Sequence, residues 1–135
     1  MKRAYPTILT ESADAVLVEV PDLEILTEGT DISNAIEMAR DAIGIAGISM
    51  QDHGDKIPEP SECKSIKIKE GAFAKDGPGL LTLVDVDFDI YRKKLEQKMV
   101  RRNVTLPSWL NTAADKANLN VSRVLQDALK SKLGF

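Results

Sequence analysis

The stretch Val100-Arg101-Arg102-Asn103-Val104-Thr105-Leu106-Pro107 constrains this chain more than any other. Its β-forming residues run up to a proline, and two short helical patterns follow. Successive strand residues alternate faces, so Arg101, Asn103 and Thr105 share one face, with Val100, Val104 and Leu106 on the other. A lone strand leaves its N–H and C=O groups unpaired on two edges, and two helices cannot cover both. Pairing with its own copy satisfies one edge and lets Val104 and Leu106 meet four helices. An arginine and an amide on the open face are the side chains that make bidentate contacts with guanine and adenine edges in the major groove. The pattern therefore predicts a dimeric β-ribbon with Arg101, Asn103 and Thr105 reading bases. The competing reading is a solvated edge strand.

The helical patterns behind the strand are well punctuated. Pro107 is placed to open the first helix, where a missing N–H costs nothing. Leu110, Ala113, Ala114 and Ala117 form its apolar stripe. Asn118 suits a left-handed turn, and Asn120 can cap the second helix, whose stripe is Val121, Val124, Leu125, Ala128, Leu129 and Leu133. The first N–H groups of that helix, at Val121, Ser122 and Arg123, form a candidate phosphate site. Such contacts position a duplex rather than specify its sequence. Simple capping by Asn120 is compatible with this role.

Net charge divides along the chain. Residues 1–90 hold eight Lys+Arg against 18 Asp+Glu, a net of −10, and residues 91–135 hold ten against three, a net of +7. The basic end suits a polyanion, and the acidic end a basic protein or simple solvation. Cys63 is the sole cysteine, so no internal disulfide and no cysteine-pair metal site is expected. His53 is the sole histidine and reads as a solvated loop residue. No apolar run approaches the roughly 20 residues that span a bilayer, and the first residues lack a signal-peptide core, so a cytoplasmic protein is expected.

The acidic half reads as a small sheet with one long helix. Ala4–Thr10 is a strand, with Pro6 favouring an edge position, and Ala15–Val20 pairs back after a turn over Glu11–Asp14. Pro21-Asp22 breaks that strand, and Glu24–Thr27 is a third. Thr30 or Asp31 caps a helix carrying Ile32, Ala35, Ile36, Ala39, Ile43 and Ala46 at helical spacing. Gly47 either lets another element pack closely or marks an early end. Pro58–Ser61 is a rigid linker, and Ser65–Lys69 fits a short helix or a strand equally. Leu80–Ile90 carries the strongest strand signal, with Thr82, Val84, Val86, Phe88 and Ile90 on one face and Leu81, Leu83, Asp85, Asp87 and Asp89 on the other. Tyr91–Met99 is a basic connector, helical or irregular.

Three carboxylates at a period of two raise the question of a metal-dependent nuclease. Neighbours on one strand face sit about 7 Å apart, and metal sites draw ligands from several elements. No metal, cofactor or catalytic group is therefore expected. Leu81, Leu83, Asp85, Asp87 and Asp89 read better as a face for a basic partner.

The order of these features resembles the HicB antitoxins: Tyr5-Pro6 in a first strand, Pro21-Asp22 after a second, Gly29 before a helix bearing Ala35 and Ala39, and then Pro58-Glu59-Pro60-Ser61. Val84 to Arg92, running into Arg102-Asn103-Val104-Thr105-Leu106-Pro107, is similar to the ribbon-helix-helix form of that family. Each motif is weak alone; their order spans nearly the whole chain. The turn residue Asn118 departs from the glycine common there, a mild change.

The resemblance implies an α+β chain: a partial RNase H-like toxin-binding domain over 1–90, a linker over 91–99, and a ribbon-helix-helix domain over 100–135. It implies a non-enzymatic antitoxin that neutralises a small basic HicA-type mRNA-cleaving toxin. It further implies a homodimer through the C-terminal domain, or a higher oligomer, that represses its own operon by binding operator DNA. The alternatives are a ligand-sensing ribbon-helix-helix repressor and, behind it, a nuclease using Asp85, Asp87 and Asp89.

Overall fold

The computed structural model describes residues 1–97 and 99–135. The chain divides into two compact units, Met1–Lys98 and Met99–Phe135.

The first unit is an antiparallel sheet of four strands with order β3-β2-β1-β4: β1 Lys2–Glu11, β2 Val16–Val20, β3 Ile25–Gly29 and β4 Gly79–Asp87. Contrary to the edge position expected from Pro6, β1 is central. The ladder with β4 runs from Lys2↔Asp87 to Thr10↔Gly79, whereas the ladder with β2 begins only at Ile8↔Glu19. Phe88 N–H donates to the Met1 carbonyl at 2.9 Å, so even-numbered residues of β4 bond to odd-numbered residues of β1. The missing N–H of Pro6 thus points away from β4, at a level where β2 is not yet paired.

Helix α1 (Ile32–Asp52) covers one face of the sheet. Asp31 is its cap, accepting from Asn34 N–H at 2.7 Å. The predicted stripe is the buried one: Ala35, Ala39 and Ile43 meet Tyr5, Leu9, Val18, Val20 and Val84. The helix outlasts the predicted stripe because Gly44 and Gly47 are packing positions rather than stops. A Cβ on Gly44 would lie 2.6 Å from the Tyr91 ring, and one on Gly47 would lie 2.1 Å from Phe88 Cε1.

Those two aromatics belong to α2 (Phe88–Leu95), which corrects two expectations. The strand signal over Leu80–Ile90 ends at Asp87, and residues 91–95 are not a linker. Asp87 Oδ1 accepts from the N–H groups of Asp89 and Ile90, capping α2 directly at the end of β4. Phe88 and Tyr91, one helical turn apart, are then buried on α1. The Tyr91 hydroxyl donates to Asp41, and Arg92 binds Asp52 at 2.9 Å and Gln51 at 3.0 Å at the end of α1. Lys98, within the expected connector, lies outside the described residues. Ser65–Lys69 is not a strand: it runs from the end of one 3-10 helix, Cys63–Ser65, into another, Ile68–Glu70, and Ile68 lies beside Gly79 and Ile8 on the other face of the sheet. There Glu19 accepts the Ala72 N–H at 3.1 Å, and Ile8 is buried.

In the second unit, α3 (Ser108–Lys116) and α4 (Val121–Leu133) follow the irregular segment Val100–Leu106. Pro107 stands one residue earlier than expected, as the N-cap of α3. Asn118 adopts the left-handed conformation, φ 58°. Asn120 caps α4 by accepting from Arg123 N–H at 3.2 Å.

Candidate functional site

The second unit has no buried residue among those described. Ala114, Val121, Leu125 and Leu106 are half-buried, and Val104, Trp109, Val124, Leu129 and Leu133 are exposed. The apolar stripes of α3 and α4 were expected to be core, yet one chain leaves them facing solvent. Val100, Val104, Leu125 and Leu129 line an open groove between the irregular segment and α4. Val100–Leu106, expected as a strand, enters no ladder in the single chain. Arg101, Asn103 and Thr105 are all exposed.

At the start of α4 the three expected N–H donors are not equivalent. Arg123 N–H is taken by Asn120, while the N–H groups of Val121 and Ser122 have no acceptor among the described residues. An anion there would meet two backbone donors, the Ser122 hydroxyl and the Arg123 side chain. The second unit holds six basic and two acidic residues, a net of +4, and the first unit holds −7. The split is smaller than the −10/+7 read from the sequence because Arg92, Lys93, Lys94 and Lys98, together with Glu96, fall in the first unit.

In the first unit the register confirms that Leu81, Leu83, Asp85 and Asp87 share the sheet face opposite α1, next to Ile8, Pro6, Ala4 and Lys2. Asp89 does not, because α2 has begun. The carboxylates do not form a free row. Asp85 binds Arg40 at 3.2 Å and Lys2 at 3.8 Å, and the Arg40 hydrogen bond holds its carboxyl below the usual range. Asp87 caps α2. Asp89 binds the terminal amine of Met1, which lowers its carboxyl in the same way. Each carboxylate thus has its own partner inside the fold, and among the described residues no three potential ligands gather for a metal. Tyr91 is pushed up to about 12 by burial and then by Asp41, and is a packing group.

Two features escaped the sequence reading. Arg40 Nε donates to the Asp85 carbonyl at 2.9 Å and so closes one end of the open β4 edge. The long separation of the two residues left no local signal. The register also puts Leu26, Glu19, Ile8 and Leu81 in one row across the sheet. Beside it lies a groove of about 520 Å³ lined by Glu19, Glu24, Leu26, Ile66 and Glu70. Glu19, Glu24 and Glu70, with Lys67 among them, thus stand beside the exposed Leu26.

The family model "HicB_like antitoxin of bacterial toxin-antitoxin system" matches residues 5–127. No curated protein matches the chain. Among solved structures, a chain of a toxin–antitoxin complex from Streptococcus pneumoniae is 24% identical, with 98% of this chain and 99% of that one covered and a TM-score of 0.63. The antitoxin HicB3 is 22% identical, with 96% of each chain covered and a TM-score of 0.52. At these identities the structures share the fold.

Proposed function

The chain belongs to the HicB-like antitoxin family of bacterial toxin–antitoxin systems, and from that premise we propose that it neutralises a HicA-type toxin and represses its own operon as a dimer. The observation that carries the DNA half is the unburied second unit. Thirty-odd residues with two amphipathic helices and no core do not fold stably alone, and a second copy supplies the missing apolar surface. In that dimer Val100–Leu106 of the two copies pair as an antiparallel ribbon-helix-helix ribbon. Arg101, Asn103 and Thr105 enter the major groove, while Val121, Ser122 and Arg123 hold phosphates. The net +4 of this unit favours the approach to DNA.

The first unit, in this reading, holds the toxin. Its net −7 suits a basic protein, and Leu81 and Leu83 supply apolar contact on the acidic face. Asp85, Asp87 and Asp89 contribute field rather than direct pairing, since each already has a partner. The protein works in the cytoplasm, where the operon and the toxin's mRNA targets lie. No helix is long and apolar enough to cross a membrane among the described residues.

One experiment tests both halves. Asn103→Ala should weaken operator binding by about 1–3 kcal/mol and relax base preference, while growth rescue against the co-expressed toxin stays complete. Operator affinity unaltered by Asn103→Ala would refute strand readout. Failure of the parent chain to rescue growth would refute the antitoxin reading.

A further inference from the structure

The sheet face opposite α1 is covered only in part, and the groove of about 520 Å³ beside β2 and β3 is what the cover leaves open. Its wall is fixed in place. The Ala72 N–H donates to Glu19 on β2, and a Cβ on Gly71 would stand 2.9 Å from Glu19 Oε1, so the segment after the second 3-10 helix lies as near β2 as glycine allows. Leu26, 58% exposed, and the half-buried Ile66 give the groove apolar surface, and Glu19, Glu24 and Glu70 give it carboxylates. These carboxylates are not alike. Glu19 is taken by Ala72, and Glu70 stands 4.0 Å from Lys67 in an exposed pair. The Glu24 side chain has no hydrogen-bonding or ionic partner among the described residues. Its backbone is left-handed, φ 54°, a conformation shared among the described non-glycine residues only by Asn118. Glycine or asparagine holds that conformation at less cost, so the turn itself does not account for a glutamate there.

We propose that this groove takes an arginine-bearing segment of the toxin, with the arginine stem on Leu26 and Ile66 and its guanidinium on Glu24. The proposal rests on the antitoxin reading and extends the toxin contact beyond Leu81 and Leu83, since Leu26, Glu19, Ile8 and Leu81 form one row across that face. Arginine fits the two halves of the groove: its long stem covers apolar surface, and its planar head makes paired, charge-assisted bonds to a carboxylate. The lining holds three glutamates against one lysine, Lys67, within a unit of net −7, so the field draws a cation in. Because the wall is already tied to β2, little ordering is needed when the segment enters.

Calorimetric titration of the full chain with the toxin of its operon tests this. Glu24→Gly removes the carboxylate and relieves the left-handed backbone. It should melt no lower than the parent, yet bind the toxin about tenfold more weakly and with a flatter dependence on salt. A merely structural role for Glu24 would not separate stability from binding in this way. Leu26→Gln should weaken binding and leave its salt dependence unchanged. Glu37→Gln removes the same charge from an exposed position on α1, outside the groove, and should bind as the parent does. Parental affinity in Glu24→Gly, or equal losses in Glu24→Gly and Glu37→Gln, overturns the groove and leaves the antitoxin reading standing. A parent chain that binds no toxin overturns that reading and the groove with it. Sedimentation without toxin completes the test: a lower mass for Leu26→Gln than for the parent would give the groove to a second copy of the chain and overturn the proposal.

Discussion

Replacing Gly47 by alanine tests whether α2 is packed on α1 as closely as the structure requires. In an exposed helix interior the change should stabilise, because glycine costs about 0.8–1.0 kcal/mol relative to alanine. At Gly47 the new Cβ would stand 2.1 Å from Phe88 Cε1, 2.7 Å from Cδ1 and 2.9 Å from Cζ. Carbon pairs prefer about 3.5–4.0 Å, so the ring must retreat by roughly 1.5 Å. Phe88 is fully buried between α1 and the sheet and has no free direction to move. Overpacking of this kind costs about 1–3 kcal/mol, and a clash this deep belongs at the upper end. The net expectation is a loss of about 1–2 kcal/mol, or a melting temperature lower by about 4–16 °C for a domain of this size. Urea denaturation followed by circular dichroism measures it. In a Phe88→Leu background the smaller side chain vacates the contact, and Gly47→Ala should then become neutral or stabilising, a coupling read from the double-mutant cycle. A Gly47→Ala chain more stable than the parent would refute the packing argument.

Tyrosinate absorbance at 295 nm should show one phenol ionising only near pH 12, because burial and Asp41 raise Tyr91 on folding. Since its folded pKa lies above its unfolded value, the associated stability is complete below pH 10 and disappears as pH rises toward 12. Tyr91→Phe should remove that dependence. Arg40→Gln should return the Asp85 carboxyl upward toward its ordinary value, as followed by NMR titration. The contribution Asp85 makes in the parent is present above the ordinary carboxylate range and is lost as pH falls through its lowered folded value. An Asp85 titration unmoved by Arg40→Gln would show that Arg40 does not hold it.

The strands β1 to β3 and helix α1 were legible because their apolar periods, 2 and 3.6, are clean and their stops are proline, glycine or a capping aspartate. The end of β4 was not. Val84, Val86 and Phe88 are all buried, so strand alternation runs in phase into the helix. The deciding signal was Asp87 as a cap, with Phe88 and Tyr91 a turn apart and basic residues in the last turn. The same oversight assigned Asp89 to the strand face and turned part of α2 into a linker. In the second unit the alternation of Val100–Leu106 predicted a strand, and the segment is irregular in the single chain because no neighbouring strand is there to pair with it. The separate engagement of Asp85, Asp87 and Asp89 was invisible because their partners Arg40, the α2 N–H groups and the terminal amine are set by tertiary contact or by an unrecognised cap.

Asp87 closes a strand and caps a helix with no residue between the two tasks. A protein usually absorbs insertions and deletions in the loops that join its elements. This joint has no loop. One residue added after Asp87 would separate the cap from its helix, and one added inside β4 would exchange the two faces of the strand beyond it. An added residue that extends the helix after Asp87 would also turn the Phe88–Tyr91 side of α2 by about 100° relative to α1. Length in this lineage should therefore vary in the turns around Ser12 and Asp76, while the spacing from Val84 to Tyr91 stays constant. A spacer introduced by design between the two units belongs after Leu95.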